Sequence, residues 1–123
     1  MKEQEKVRRM VTMDSVKLNL NKDFRRLYGR GKSFVHPLLV TYIMRTKRNV
    51  VRYGVTTGKK VGGAVARNRA RRVIEAGMRE IGAQIDCGGV DIVFVARSKT
   101  AFAKSYDVAA VMLKHFKDGG IIP

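Results

Sequence analysis

At 123 residues with 45% hydrophobic side chains, the chain is the size of one domain and too apolar for a disordered basic tail. Its 26 Lys and Arg against 10 Asp and Glu leave a net charge of +16, which repels itself on folding and is most often compensated by a polyanion, nucleic acid first. A single cysteine, Cys87, excludes an internal disulfide and a zinc ribbon, and His36 and His115 have no ligand spacing around them.

The charge is unevenly placed. Between Asp23 and Glu75 there is no acidic residue, while Phe24 to Ile74 holds 14 Lys and Arg. Residues 1–16 carry mixed charge and read as an N-terminal extension, with disorder as plausible as a short helix. Met1 to Asp14 lacks the apolar run of a secretory signal, and no segment approaches the ~20 apolar residues of a membrane span. A cytoplasmic protein with no membrane partner is expected.

Asn21 is a candidate cap for a helix over about Lys22 to Tyr28, which places Phe24, Leu27 and Tyr28 on one face. Gly29 and Gly31 are expected to end it. Ser33 to Arg45 reads as extended, with a break or bulge at Pro37 and strand formers from Leu38 to Met44. Thr46-Lys47-Arg48-Asn49 is a polar turn, and Val50 to Thr56 returns with Val51, Tyr53 and Val55 facing one way. Two strands so joined predict an antiparallel hairpin.

After Gly62-Gly63 a helix is predicted over about Ala64 to Ala83. At ~100° per residue, Ala66, Ala70, Val73, Ile74, Gly77, Met78 and Ile81 share one arc. Asn68, Arg69, Arg71 and Arg72 lie on the opposite arc, with Arg67 at the border. One face is core and the other a cationic ridge, without the mixed signs of an ordinary solvated helix. Val90 to Ala96 is a strongly apolar strand predicted to be buried on both faces. A last helix is expected over Ala101 to Lys117, with Phe102, Tyr106, Ala109, Leu113 and Phe116 as its apolar residues, followed by a loose tail over 119–123. The pattern is α+β: helix, two or three strands, helix, strand, helix, in one sheet with helices packed on it.

Gly54-Val55-Thr56-Thr57-Gly58-Lys59-Lys60 falls short of a phosphate-binding loop, with three residues between its glycines where four are needed and Lys60 in place of the Ser or Thr that holds magnesium. No paired carboxylates and no histidine beside a nucleophile suggest a catalytic centre, and the acid-free region has nothing to hold a divalent metal.

Lys59-Lys60-Val61-Gly62-Gly63-Ala64-Val65-Ala66-Arg67-Asn68-Arg69-Ala70-Arg71-Arg72 closely resembles the signature of the bacterial ribonuclease P protein subunit, K-K-x-G-x-A-V-x-R-N-R-x-K/R-R. Asp23-Phe24-Arg25-Arg26-Leu27-Tyr28 with Gly31-Lys32-Ser33, then Arg52-Tyr53-Gly54-Val55, then Ala96-Arg97 followed by Tyr106, are similar to further blocks of that family in the same order. The resemblance covers residues 17–116. It departs at Glu75-Ala76, where the family often has Arg-Glu, at Gly63, which replaces a usual polar residue, and at Asn19-Leu20, where a basic pair is common.

The resemblance implies a two-layer α/β sandwich like a ribosomal-protein domain, ordered helix-strand-strand-strand-helix-strand-helix, with a left-handed βαβ crossover; spacing alone suggests a right-handed one. It implies a single RNA-binding domain over 17–118, with ribonuclease P RNA and precursor tRNA as partners and no obligate protein partner. Arg67, Asn68, Arg69, Arg71 and Arg72 would face the catalytic RNA. Phe24, Tyr28 and Tyr42 would line a cleft for the 5′ leader of precursor tRNA, with Arg25, Lys32, Arg52, Lys59 and Lys60 along its margins. The protein would bind no cofactor and supply no catalytic residue, the magnesium ions of phosphodiester hydrolysis being held by the RNA subunit. A structural ribosomal RNA-binding protein would explain the charge and size equally well, but not the ordered blocks. A self-sufficient nuclease and a DNA-bending architectural protein are more distant alternatives.

Overall fold

The computed structural model describes residues 21–123. In chain order they form α1 (Asn21–Arg30), β1 (Lys32–His36), β2 (Leu39–Arg45), β3 (Val51–Thr56), α2 (Ala64–Ile81), β4 (Val90–Ala96) and α3 (Ser105–Asp118). Short 3-10 turns lie at Lys59–Val61, Gly82–Gln84 and Thr100–Phe102. The extension expected over residues 1–16 lies outside the described residues, and Asn21, expected as a cap, is already part of α1. No described helix is long and apolar enough to cross a membrane.

The sheet is ordered β1-β2-β4-β3. β4 is apolar on both faces, so it is stable only in the interior of the sheet, and it lies antiparallel to β2 and parallel to β3. This overturns the hairpin expected between Leu38–Met44 and Val50–Thr56. β4 inserts between those strands, with Ile43 opposite Ile92 on one side and Tyr53 beside Ile92 on the other. The true hairpin joins β1 to β2, His36 opposite Leu39, with Pro37 in its two-residue turn. There the missing N–H of proline removes no ladder bond, and the Leu38 N–H donates to His36 Nδ1 at 3.0 Å. The parallel neighbours β3 and β4 need a crossover connection, and α2 provides it.

α2 and α3 cover one face of the sheet. Leu39, Ile43, Ile92 and Phe94 pack there against Ala70, Ile74 and Met78 of α2 and Val108, Met112 and Phe116 of α3. The arc predicted for α2 is the one that is buried, and Asn68, Arg69, Arg71 and Arg72 are exposed. Gly77 is where α3 comes closest: a Cβ there would stand 3.3 Å from Met112 Sδ and 3.4 Å from the Ala109 backbone nitrogen.

α1 covers part of the opposite face, with Leu27 buried on Val93 and Phe24, Tyr42, Met44 and Val95 around them. The helix runs through Gly29 and stops at Gly31, whose N–H donates to Leu27 O at 2.8 Å. A Cβ at Gly31 would lie 2.6 Å from Leu27 O and 3.1 Å from Ile43 O, so only glycine lets α1 turn this closely into the sheet.

Two expectations for the C-terminal part are corrected. The last helix does not begin at Ala101: the hydroxyl of buried Thr100 accepts from the Arg97 N–H at 2.8 Å and donates to Leu38 O, which holds the chain in a short turn, and α3 starts only at Ser105. Its core face is Val108, Ala109, Val111, Met112, His115 and Phe116, while Phe102 and Tyr106 are exposed. The tail after Asp118 is docked rather than loose. Ile121 and Ile122 are buried, Ile121 O accepts from the Asp86 N–H at 2.8 Å, and Arg45 Nη2 donates to Gly120 O.

Candidate nucleic-acid interface

The periodicity of α2 puts its apolar side chains toward the sheet and therefore turns Asn68, Arg69, Arg71 and Arg72 outward, with Arg67 half-buried at the edge of the ridge. None of these five meets a carboxylate of the described residues; the ion pairs found there are Arg26–Asp23, Arg26–Asp91 and Arg52–Asp91. Arg71 leans back on the end of β3, its Nη1 donating to Val55 O at 3.4 Å and its Nη2 to Thr57 Oγ1 at 3.3 Å. The ridge therefore adjoins the Lys59–Val61 turn, where Lys59 and Lys60 are both exposed. Planar guanidinium forks with no carboxylate against them among the described residues are suited to bidentate contact with phosphate oxygens.

The second region lies beside α1. Phe24 and Tyr28, one turn apart, lie nearly parallel, with ring centroids 6.4 Å apart and planes at 20°. Tyr28 meets Tyr42 of β2 edge-on at 4.8 Å and 69°. Tyr28 is 44% exposed, and Phe24 and Tyr42 are half-buried, so this cluster has an open side. From Tyr42 the same sheet face continues through half-buried Val40 and Val95 to Thr56, the residue that leads toward Lys59 and Lys60. The face α1 leaves uncovered is thus a partly apolar trough, aromatic at one end and cationic at the other. Flat rings beside positive charge suit unstacked bases of a single strand.

Beneath α1 lies a buried ionic cluster. Asp91 sits in the apolar run of β4 with no exposed surface, and Arg52, 6% exposed, is its neighbour on β3. Arg52 Nε and Nη2 donate to Asp91 Oδ1 and Oδ2 at 2.9 and 2.7 Å. Arg26 Nη2 of α1 donates to Asp91 Oδ2 at 3.2 Å and to Asp23 Oδ1 at 3.4 Å. The hydrogen bonds to Asp91 raise the Arg52 pKa above its ordinary value, opposed by the desolvation of burial. Among the described residues no three of His, Cys, Asp and Glu gather where a metal ion would be held, and Asp91 is committed to its two arginines.

The chain is similar to known proteins in sequence and in fold. The family model for ribonuclease P matches residues 13–119. The ribonuclease P protein component of Clostridium botulinum (strain Langeland) is 38% identical over 109 residues, 89% of this chain and 98% of that protein. The chain belongs to the ribonuclease P protein family. The protein component of Clostridioides difficile (strain 630) is 45% identical over 93 residues, covering 73% and 81% of the two chains. The solved ribonuclease P protein of Staphylococcus aureus superposes with a TM-score of 0.73 at 25% identity, over 87% of this chain and 97% of that one. Membership of the ribonuclease P family gives the chain a role in an endoribonuclease complex and does not favour the ribosomal alternative.

Against the sites that the resemblance implied, Asn68, Arg69, Arg71 and Arg72 stand exposed on α2 with Arg67 half-buried at their edge, and Phe24, Tyr28 and Tyr42 converge on one cluster. Arg25, Lys59 and Lys60 are exposed. Two expected margin residues stand elsewhere. Arg52 is drawn into the interior by Asp91, so it anchors the floor under α1 and is not a free cation. Lys32 pairs with Ile43, a residue of the helical-layer core, so by strand alternation it leaves β1 on the face away from Tyr42. Asp91 itself went unread in the sequence. Its signal was a lone carboxylate inside an apolar strand, a residue that must find a cation when buried.

Proposed function

We propose that this chain is the ribonuclease P subunit that grips a folded RNA on the ridge of α2 and a single-stranded 5′ leader of precursor tRNA on the trough beside α1. Arg67, Asn68, Arg69, Arg71 and Arg72 bind the ribonuclease P RNA, the arginines through phosphate oxygens and Asn68 through a base edge, a ribose hydroxyl or its arginine neighbours. Phe24, Tyr28 and Tyr42 take leader bases, with Arg25, Lys59 and Lys60 offsetting the leader phosphates. Hydrolysis of the phosphodiester is assigned to the RNA subunit and its magnesium ions; the protein positions the substrate. The observation that carries this reading is a helix face of arginines with no carboxylate against it among the described residues.

Reconstitution with a ribonuclease P RNA tests it. At low magnesium the protein is expected to support 5′ cleavage that the RNA alone performs poorly, and to favour precursor over mature tRNA. Equal affinity for precursor and mature tRNA would point to a structural ribosomal protein. Cleavage by the protein freed of all RNA would overturn the division of labour.

A further inference from the structure

A hollow of about 430 Å³ lies between the first turns of α2 and the Thr100–Phe102 turn, away from the trough beside α1. Gly63, Val65, Ala66, Arg69 and Phe102 line it. Its volume falls in the range of small-ligand clefts, about 300–1,000 Å³. Val65 is 73% and Phe102 80% exposed, so two large apolar side chains stand in water at its rim, and a Cβ built on Gly63 would meet nothing within 4 Å. Neither side chain supports the core, and the first helical position that does on this side is half-buried Ala66.

The surroundings select the class of occupant. Arg97, Lys99 and Lys104 flank Phe102, all exposed, and residues 97–106 contain no acid. On the other side the acid-free stretch runs to Ile74. An apolar protein segment docked here would leave these cations unmatched. A nucleotide satisfies both requirements, because its base presents an apolar π-face and its phosphate a negative charge. Arg69 belongs at once to the hollow and to the ridge, so the hollow continues the proposed interface for the ribonuclease P RNA.

We propose that this hollow holds one unpaired base of the ribonuclease P RNA, stacked on Phe102, with Arg69 and the Arg97–Lys104 loop on the adjoining phosphates. The inference rests on the RNA-binding reading of α2 and adds to it a base-stacking contact at the start of that helix.

Phe102 allows a direct test because the chain contains no tryptophan. Phe102→Trp introduces a sole indole at the hollow, and Phe102→Ala removes the stacking surface. Both are made in the full chain and titrated with a ribonuclease P RNA at several salt concentrations. With the wild type binding, Phe102→Ala is expected to bind about tenfold more weakly with an unchanged salt slope, since a stacking surface and not a phosphate contact is lost. Phe102→Trp is expected to keep its affinity and to lose emission on RNA addition. Phe102→Ala binding within about twofold of the wild type, with unaltered Trp emission in Phe102→Trp, would overturn the proposal. Quenching by precursor tRNA alone, and not by the ribonuclease P RNA, would overturn it as well. Failure of the wild type to bind the RNA is a separate result that defeats the underlying reading. Should Phe102→Ala melt at a lower temperature than the wild type, the Phe102→Trp emission decides.

Discussion

Arg52 and Asp91 are neighbours on parallel strands and close a two-pronged ion pair, Nε to Oδ1 at 2.9 Å and Nη2 to Oδ2 at 2.7 Å. Arg26 reaches the same carboxylate from α1, so one buried acid ties β3 and β4 to the helix that carries Phe24 and Tyr28. Arg52→Ala leaves Asp91 with only the longer contact to Arg26. A loss of about 3 kcal/mol in unfolding free energy is expected, as for a buried pair robbed of one partner. Urea denaturation measures it. A change under about 0.5 kcal/mol would mean that Arg26 alone satisfies the carboxylate and that Arg52 is spare.

Arg69→Ala with Arg72→Ala should leave the fold intact, because both side chains are exposed on the ridge. The expected effect lies in RNA binding: weaker affinity, and a plot of log affinity against log salt flatter by about 0.7–0.9 for each phosphate contact removed. Equilibrium binding across a salt series gives the slope. A slope identical to that of the wild type would show that these guanidinium groups face only water in the complex.

Tyr28 is the most exposed ring of the α1 cluster and contacts Tyr42 edge-on. Tyr28→Ala should weaken binding of leader-bearing precursor tRNA to the reconstituted enzyme by about 1–3 kcal/mol while leaving mature tRNA unaffected. The same variant should melt close to the wild type. If instead its melting temperature falls and both tRNAs weaken together, the ring is a structural support for α1.

His115 lies buried in α3, its Nδ1 2.8 Å from Thr41 Oγ1 and its ring beside Phe34. Burial lowers its pKa, helped by the charges of His36 and Lys114 and opposed by Asp118. The unfolded chain therefore takes up a proton that the folded chain refuses. Stability from this group is fully present above the unfolded value of about 6.5 and is lost as pH falls through it toward the lower folded value. Urea melts at about pH 7.5 and about pH 5.5 should show the wild type losing more stability on acidification than His115→Gln. Equal losses would remove His115 as the source.

The sequence by itself determined what is written along single helices and strands. In α2 the 3.6-residue repeat separates core arc from cationic ridge, because side-chain direction in a helix follows from local geometry alone. The apolar run of β4, interrupted by Asp91, likewise declared a strand covered on both faces, and the ordered motif blocks declared the family. Tertiary structure alone decided which strands are neighbours: β4 separates β2 from β3 because pairing depends on contacts between residues far apart in the chain, which local pattern does not encode. It also decided the fate of individual charges and rings. Arg52 is a cation in any reading of its own segment; only the approach of Asp91 across the sheet makes it an internal anchor. Phe102 reads as core by its chemistry, and is left in water because the Thr100 hydroxyl, bonded to the backbone at Leu38 and Arg97, holds the chain in a turn before the helix begins.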